Sequence, residues 1–363
     1  MKQVERWFAD ALNGRAEGHL LRRRHGPLPG VPFHGNDYLG LAAEGGFGAR
    51  GSRAVVGDSD AVRTLERELA DWVGLEDALV FSSGYAANVA ALQAVVRPGD
   101  RVVSDAHNHA SIVDGLRLSR ADVVVAPHLD LGAMQAALGG RTDGTRAWVV
   151  TESYFSMDAD SPRLRDLADL CAACDAGLVV DEAHAFGALG PGGRGLCAAE
   201  GVTPSVFVGT LGKAVGGVGG FVAGSPLLTD LVWNRGRAFV FSTAIGDGTA
   251  RELTAATRRA RAADGARANL AENARTMRQE LARVGVRCGG TGHIVPLWVG
   301  DEGRAALIAE WLLRRGIALY PMRYPTVALG EARLRLAVGA GLTPAEICTA
   351  ATLIQEAFAC SGS

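Results

Sequence analysis

Lysine is almost missing from this chain. Its 363 residues contain two, Lys2 and Lys213, and every other basic residue is an arginine. The formal net charge of -2 provides no basic field, which argues against a nucleic-acid partner. Six cysteines are too sparse for a disulfide framework. Cys171 and Cys174 form a C-x-x-C, but they sit in the helical pattern LRDLADLCAACDAG with no second Cys/His pair at metal spacing nearby, which favours a structural role. No uninterrupted apolar run reaches the roughly 18 residues of a membrane-spanning helix. The opening MKQVERWFADALNG is an amphipathic helix pattern containing acids, unlike a secretory leader, so the expected location is the cytoplasm, with no membrane partner.

The residues that are present describe an ordinary globular chain, 48% hydrophobic and 21% charged. Its length suits one large domain and a smaller one. Apolar runs at 78–81, 101–104, 123–127, 147–151, 178–181, 205–210 and 220–223 alternate with helical patterns at 61–73, 86–96, 112–118 and 163–175. That alternation predicts an α/β fold whose large domain carries a mostly parallel central sheet covered on both faces. Beyond about Ala244 two long helices are expected (250–263, 267–284), then a short α/β portion with strands at 294–299, 317–320 and 333–338. The expected division is an N-terminal arm over 1–40, a large domain over 41–270 and a small C-terminal α/β domain over 271–363.

Chemistry concentrates at a few strand ends. In SVFVGTLGKAVGGVGG, Lys213 stands alone among small residues after an apolar strand. A lysine with a lowered pKa forms Schiff bases, whereas a surface lysine in a loop is the plain alternative. In LVVDEAHAFGALG, Asp181 ends a strand where open α/β sheets place ligands, and a buried carboxylate there would suit a protonated pyridine nitrogen. His184 follows, and the plain alternative for the pair is a helix cap and a satisfied histidine. FSSGYAAN runs from a strand into a helix start, where main-chain N–H groups bind phosphate. In SDAHNHASI, His109 could stack on a flat ring, and a metal shared with His107 is the rival, although no third ligand lies at suitable spacing. No metal is expected.

Taken in order, Ser83-Gly84-Tyr85, His109, Ser156, Asp181-Glu182-Ala183-His184 and Thr210-Leu211-Gly212-Lys213 resemble the fold-type I enzymes of pyridoxal 5'-phosphate (PLP), and more narrowly the α-oxoamine synthases. The resemblance also takes in LLRRRHG, GNDYLGLA, GSRAVVGDSDAVRTLERELA, TESYFSMDADSPRL, GGRGL, FST and PTVALGEARLRL. It implies that Lys213 carries the cofactor and moves the substrate α-proton, that Asp181 faces the ring nitrogen, and that His184 and Ser156 contact the ring's phenolic oxygen. His109 would stack on the ring. Ser83, Gly84, Tyr85 and Thr210 would hold the phosphate, joined by Thr243 from the neighbouring subunit of a homodimer. Arg22, Asn36 and Arg333 would bind substrate, Arg333 as a bidentate fork on the carboxylate.

The implied reaction is a Claisen condensation of an amino acid with an acyl thioester, delivered by CoA or a carrier protein, followed by loss of CO₂. GNDYLGLA and Arg22-Arg23-Arg24 look most like the alanine-using, biotin-pathway branch of the family. Three departures bear on the acyl partner: a shortened segment between Leu41 and Gly51, Gly339-Ala340-Gly341-Leu342 in place of a histidine-containing motif, and AIGDG after FST. A secondary-metabolite synthase with another thioester, and a plain aminotransferase, are the alternatives. With one candidate lysine besides Lys2, borohydride reduction followed by peptide mapping should place the fixed cofactor on Lys213. Cofactor fixed to a Lys213→Ala variant would contradict the assignment.

Overall fold

Each of the seven runs expected before residue 225 becomes a strand, because each is a short apolar stretch containing valine and followed within three residues by glycine, proline or an acid. The computed structural model describes residues 2–26, 49–142 and 144–361. The strands are β1 (Asp77–Phe81), β2 (Arg101–Asp105), β3 (Asp122–Ala126), β4 (Ala147–Glu152), β5 (Ala176–Asp181), β6 (Val206–Thr210) and β7 (Gly220–Gly224). They form one sheet in the order β1-β7-β6-β5-β4-β2-β3. β2 pairs parallel with β3 and β4, and β5 with β4 and β6. Among these strands β7 alone runs against its neighbours, β1 and β6. The expected mostly parallel α/β sheet is therefore what forms.

The described chain falls into two compact units, one of Met1–Ser153 with Ser161–Ala262, the other of Tyr154–Asp160 with Ala263–Ser363. The division precedes the whole Asp264–Arg283 helix, whereas the expected boundary at 270/271 would cut through it. No helix among the described residues is long and apolar enough to cross a membrane.

In the first unit, helices cover both sheet faces. The Gly84–Val95 and Pro226–Arg235 helices pack on one face with the Lys2–Glu17 helix, whose Val4, Phe8 and Leu12 point inward one turn apart. Phe8 stacks on Trp148 of β4 with ring centroids 6.2 Å apart. The other face carries the Asp60–Val73 and Leu164–Ala173 helices. Cys171 of the latter is buried, and burial pushes its thiol up to about 12, so it remains a thiol within the core.

A parallel sheet brings the carboxyl ends of its strands to one edge. That edge holds Asp105, Glu152, Asp181 and Thr210, the last residues of β2, β4, β5 and β6, and all four are buried. A second polar cluster anchors the same unit. Arg53 is 4% exposed; its Nε donates to Asp58 at 2.6 Å and its Nη2 to Glu66 at 2.9 Å. The Trp233 and Phe239 rings each lie 5.3 Å from its guanidinium carbon. Glu66 also accepts the Val80 N–H at 2.9 Å, tying the cluster to β1.

In the second unit, β8 (Ile294–Gly300), β9 (Pro321–Met322) and β10 (Ala332–Ala337) form an antiparallel sheet in the order β8-β10-β9. The strand expected at 317–320 is a correction, since the pairing to β10 starts only at Pro321 and lasts two residues. Ile317 N–H is taken by Leu312 O at the preceding helix end, and Pro321 has no N–H to extend a ladder. Asn273 donates to the carbonyls of Gly339, Ala340 and Leu342, holding the segment in which the histidine-containing motif was absent.

Removing one partner from a buried ion cluster strands the others. Arg53→Ala should therefore lower unfolding stability by about 3–5 kcal/mol in urea titrations, because Asp58 and Glu66 lose the cation they share. A loss under about 1 kcal/mol would show the cluster to be dispensable.

Candidate active site

The centre of the site is Asp181, 5% exposed at the end of β5. Its Oδ2 accepts from Asn88 Nδ2 at 2.6 Å and its Oδ1 from the Ala183 N–H at 2.8 Å. Both donors are neutral. The β4–β5 register sets Glu152 beside it. Glu152 is also 5% exposed, and burial raises its pKa well above the carboxylate range, with the Asp181 charge adding to the effect. Glu152 is therefore inclined to keep its proton. Glu152 Oε1 accepts the His109 main-chain N–H at 2.7 Å.

His109 caps the Ala110–Ser119 helix, and its Nδ1 accepts the Ser111 N–H at 3.2 Å. The residue is exposed by area, yet its ring is crowded enough for burial to lower its pKa; Asp181 opposes that shift and Lys213 adds to it. Asp181, His109, Glu152 and Lys213 thus act on one another electrostatically in one place. His107 stacks on His128, with centroids 4.0 Å apart, and His128 Nδ1 bonds Asp105 at 2.7 Å.

The Gly84–Val95 helix points its start at this edge. Ser83 is its N-cap, with Oγ accepting the Ala86 N–H at 3.0 Å. Gly84 lies against Thr210, whose side chain would be 3.3 Å from a Cβ at that position. Gly220 is glycine for a plain reason, since a Cβ there would sit 2.6 Å from both the N and Cα of Gly84. Tyr85 is exposed, and its hydroxyl donates to Asp114, a bond that raises its pKa.

Thr210 begins the turn that presents Lys213. Its Oγ1 donates to Gly219 O at 3.0 Å and accepts the Gly212 N–H at 3.3 Å. Gly217 N–H donates to Leu211 O and Gly216 N–H to Lys213 O, and Gly216 takes φ +75°, so the loop closes on itself with the Lys213 side chain exposed. His184, half-buried, follows Asp181 in the next turn. Between them, Glu182 braces the scaffold. Fully buried, it accepts from Ser153 Oγ and from the Leu196 and Cys197 N–H groups. A side chain at Gly195 would strike it at 2.4 Å, which explains the glycine in GGRGL.

The remaining expected residues are placed differently. Thr243 is exposed in the segment after the Arg237–Val240 helix. Ser156 belongs to the second unit. Arg22 is exposed and straps the chain to Asn234, its N–H donating to Oδ1 at 2.6 Å and its Nη1 to the carbonyl at 3.1 Å. Arg333, in the second unit, is 4% exposed and engages Asp158 through Nη1, with Met157 O at 3.3 Å. Asn36 and most of the shortened 41–51 segment lie outside the described residues. Asn88, Ser111 and Glu152 were not singled out from sequence. An amide near the start of the otherwise apolar AANVAAL was the available signal for Asn88.

Residues 33–354 match the family of class I and II aminotransferases. An 8-amino-7-oxononanoate synthase of Mycolicibacterium smegmatis is 41% identical over an alignment of 379 residues covering 97% of this chain and 96% of that protein. A serine palmitoyltransferase from S. paucimobilis, solved with a bound PLP–myriocin adduct, superposes with TM-score 0.84 at 32% identity, covering 87% of this chain and 81% of that one. The 8-amino-7-oxononanoate synthase of Francisella tularensis superposes with TM-score 0.73 at 26% identity, covering 82% and 87%.

Proposed function

The chain belongs to the aminotransferase class I and II family, and we propose that it is a PLP-dependent acyltransferase of the 8-amino-7-oxononanoate synthase kind, joining L-alanine to an acyl thioester with release of CO₂ and free thiol. The observation that carries this is Asp181, a buried carboxylate whose donors, Asn88 and the Ala183 N–H, are neutral. Such a group suits a cationic partner, and a protonated pyridine nitrogen is one. The surroundings fit the rest of the cofactor too: an amine at Lys213, a helix start at Ser83-Gly84-Tyr85 for a phosphate, and a Gly84–Gly220 approach too close for a side chain.

PLP, when bound, supplies a conjugated ring that takes up the electron pair developing at the substrate α-carbon. This chain's residues do the remaining work. Lys213 Nζ is proposed to hold the cofactor and to take and return the α-proton. Asp181, held by Asn88 and the Ala183 N–H beside a Glu152 whose pKa burial raises, is proposed to face the ring nitrogen. His109 covers the ring face; His184 and Ser156 are proposed to meet its phenolic oxygen. Thr210 joins the helix start at the phosphate. Thr243, exposed on one subunit, is proposed to serve the phosphate of its partner in a homodimer. Arg22, Asn36 and Arg333 are proposed as substrate contacts on the family resemblance.

The deciding assay is thiol release from pimeloyl, acetyl, succinyl and long-chain thioesters, delivered on CoA or a carrier protein, with L-alanine, glycine and L-serine. L-alanine with the pimeloyl thioester should turn over fastest. Glycine should be used more weakly, by about 10-fold, since a pocket separates one methylene by only about 1–3 kcal/mol. Transamination without a thioester, and no thiol release with any, would overturn the proposal.

A further inference from the structure

Four side chains in the first unit form one directed run of hydrogen bonds. Asn88 Nδ2 lies 2.6 Å from Asp181 Oδ2 and 3.0 Å from Ser111 Oγ. Ser111 Oγ lies 2.8 Å from His109 Nδ1, and the Ser111 main-chain N–H also points at that nitrogen, at 3.2 Å. The direction follows from the ends. Turning the Asn88 amide over would set its oxygen against a carboxylate, so the nitrogen faces Asp181 and spends one hydrogen on it. Its other hydrogen goes to Ser111 Oγ. The Asn88 oxygen, buried and without a partner among the described residues, is the cost of that orientation.

With its oxygen accepting from Asn88, the Ser111 hydroxyl is free to donate to His109. The main-chain contact has the same sense: an N–H can only donate, so both Ser111 donors meet a lone pair on Nδ1. Asn88 is 3% exposed and Ser111 1%, which shields both donors from bulk water. Burial and Lys213 both favour the neutral ring, and a neutral imidazole has one proton to place.

We infer that Asn88 and Ser111 are positioning residues that hold His109 in the tautomer with its proton on Nε2, so that His109 enters the reaction as a hydrogen-bond donor and not as a base. Nε2–H can then donate to a substrate oxygen that gains negative charge, while the α-proton is left to Lys213. Only the identity of that oxygen rests on the proposed condensation; the tautomer rests on this chain's own bonds. The same amide serves Asp181 and, through Ser111, His109, so the two sides of the cofactor site are adjusted by one residue.

The test is ¹⁵N NMR of the holoenzyme labelled at histidine nitrogens, with the His109 signals identified by their loss in His109→Gln. Near neutral pH, Nδ1 should give the shift of an unprotonated ring nitrogen and Nε2 that of a protonated one. Ser111→Ala removes the shorter of the two donors to Nδ1 and keeps the main-chain N–H, so the Nδ1–H tautomer should appear beside the other and kcat should fall by about tenfold with KM within about threefold, the pattern of a lost transition-state bond. A proton on Nδ1 in the unaltered enzyme would overturn the inference, as would a Ser111→Ala variant with unchanged His109 signals and unchanged kcat. An enzyme with the expected tautomer but no thiol release would sink the proposed reaction and leave the relay standing.

Discussion

Moving a carboxylate out of water costs several kcal/mol even after relaxation, and two neutral hydrogen bonds recover only part of that. Asp181 is in this position at the end of β5, and much of the first unit's polar architecture answers to it. Asn88 gives up satisfaction of its own oxygen to donate to Asp181. Glu152 lies one strand away in register, and burial together with the Asp181 charge raises its pKa. The Asp181 carboxyl is oriented by its two hydrogen bonds before any ligand arrives, the condition under which electrostatics are most effective in a closed site.

The fold delivers that arrangement through topology. Four strands ending at one edge place Asp105, Glu152, Asp181 and Thr210 side by side. The one reversed strand of that sheet, β7, brings Gly220 against Gly84 so that the helix start and the Lys213 turn share a wall. Arg53 ties β1 to the Asp60–Val73 helix through Glu66. Most groups of the candidate site are thus set on strand ends and helix starts, with Lys213 carried on a short self-bonded turn.

Local patterns made the first sheet legible because each strand is a compact apolar run containing valine, and because Asp181, His109 and Lys213 follow such runs directly. What stayed hidden depends on distance along the chain. Asn88 and Asp181 are 93 residues apart, so nothing near either one announces the bond. Glu152 reads as a residue after a strand until the β4–β5 register is known. The strand at 317–320 failed because apolar residues there close a helix end and precede a proline, a competition that periodicity does not register. Arg333 and Arg22, expected as substrate contacts, also have protein partners that no local pattern shows, Asp158 for one and Asn234 for the other.

The proposed chemistry turns on Asp181 being an ionised carboxylate that faces the cofactor's ring nitrogen. Reconstituting the enzyme with PLP labelled with ¹⁵N at the pyridine position, and recording the chemical shift of that nitrogen, reads this without recourse to turnover. The ring nitrogen should be protonated in the unaltered enzyme across the neutral range and unprotonated in Asp181→Asn. An unprotonated nitrogen in the unaltered enzyme, or the same protonated signal in both proteins, would refute the role given to Asp181.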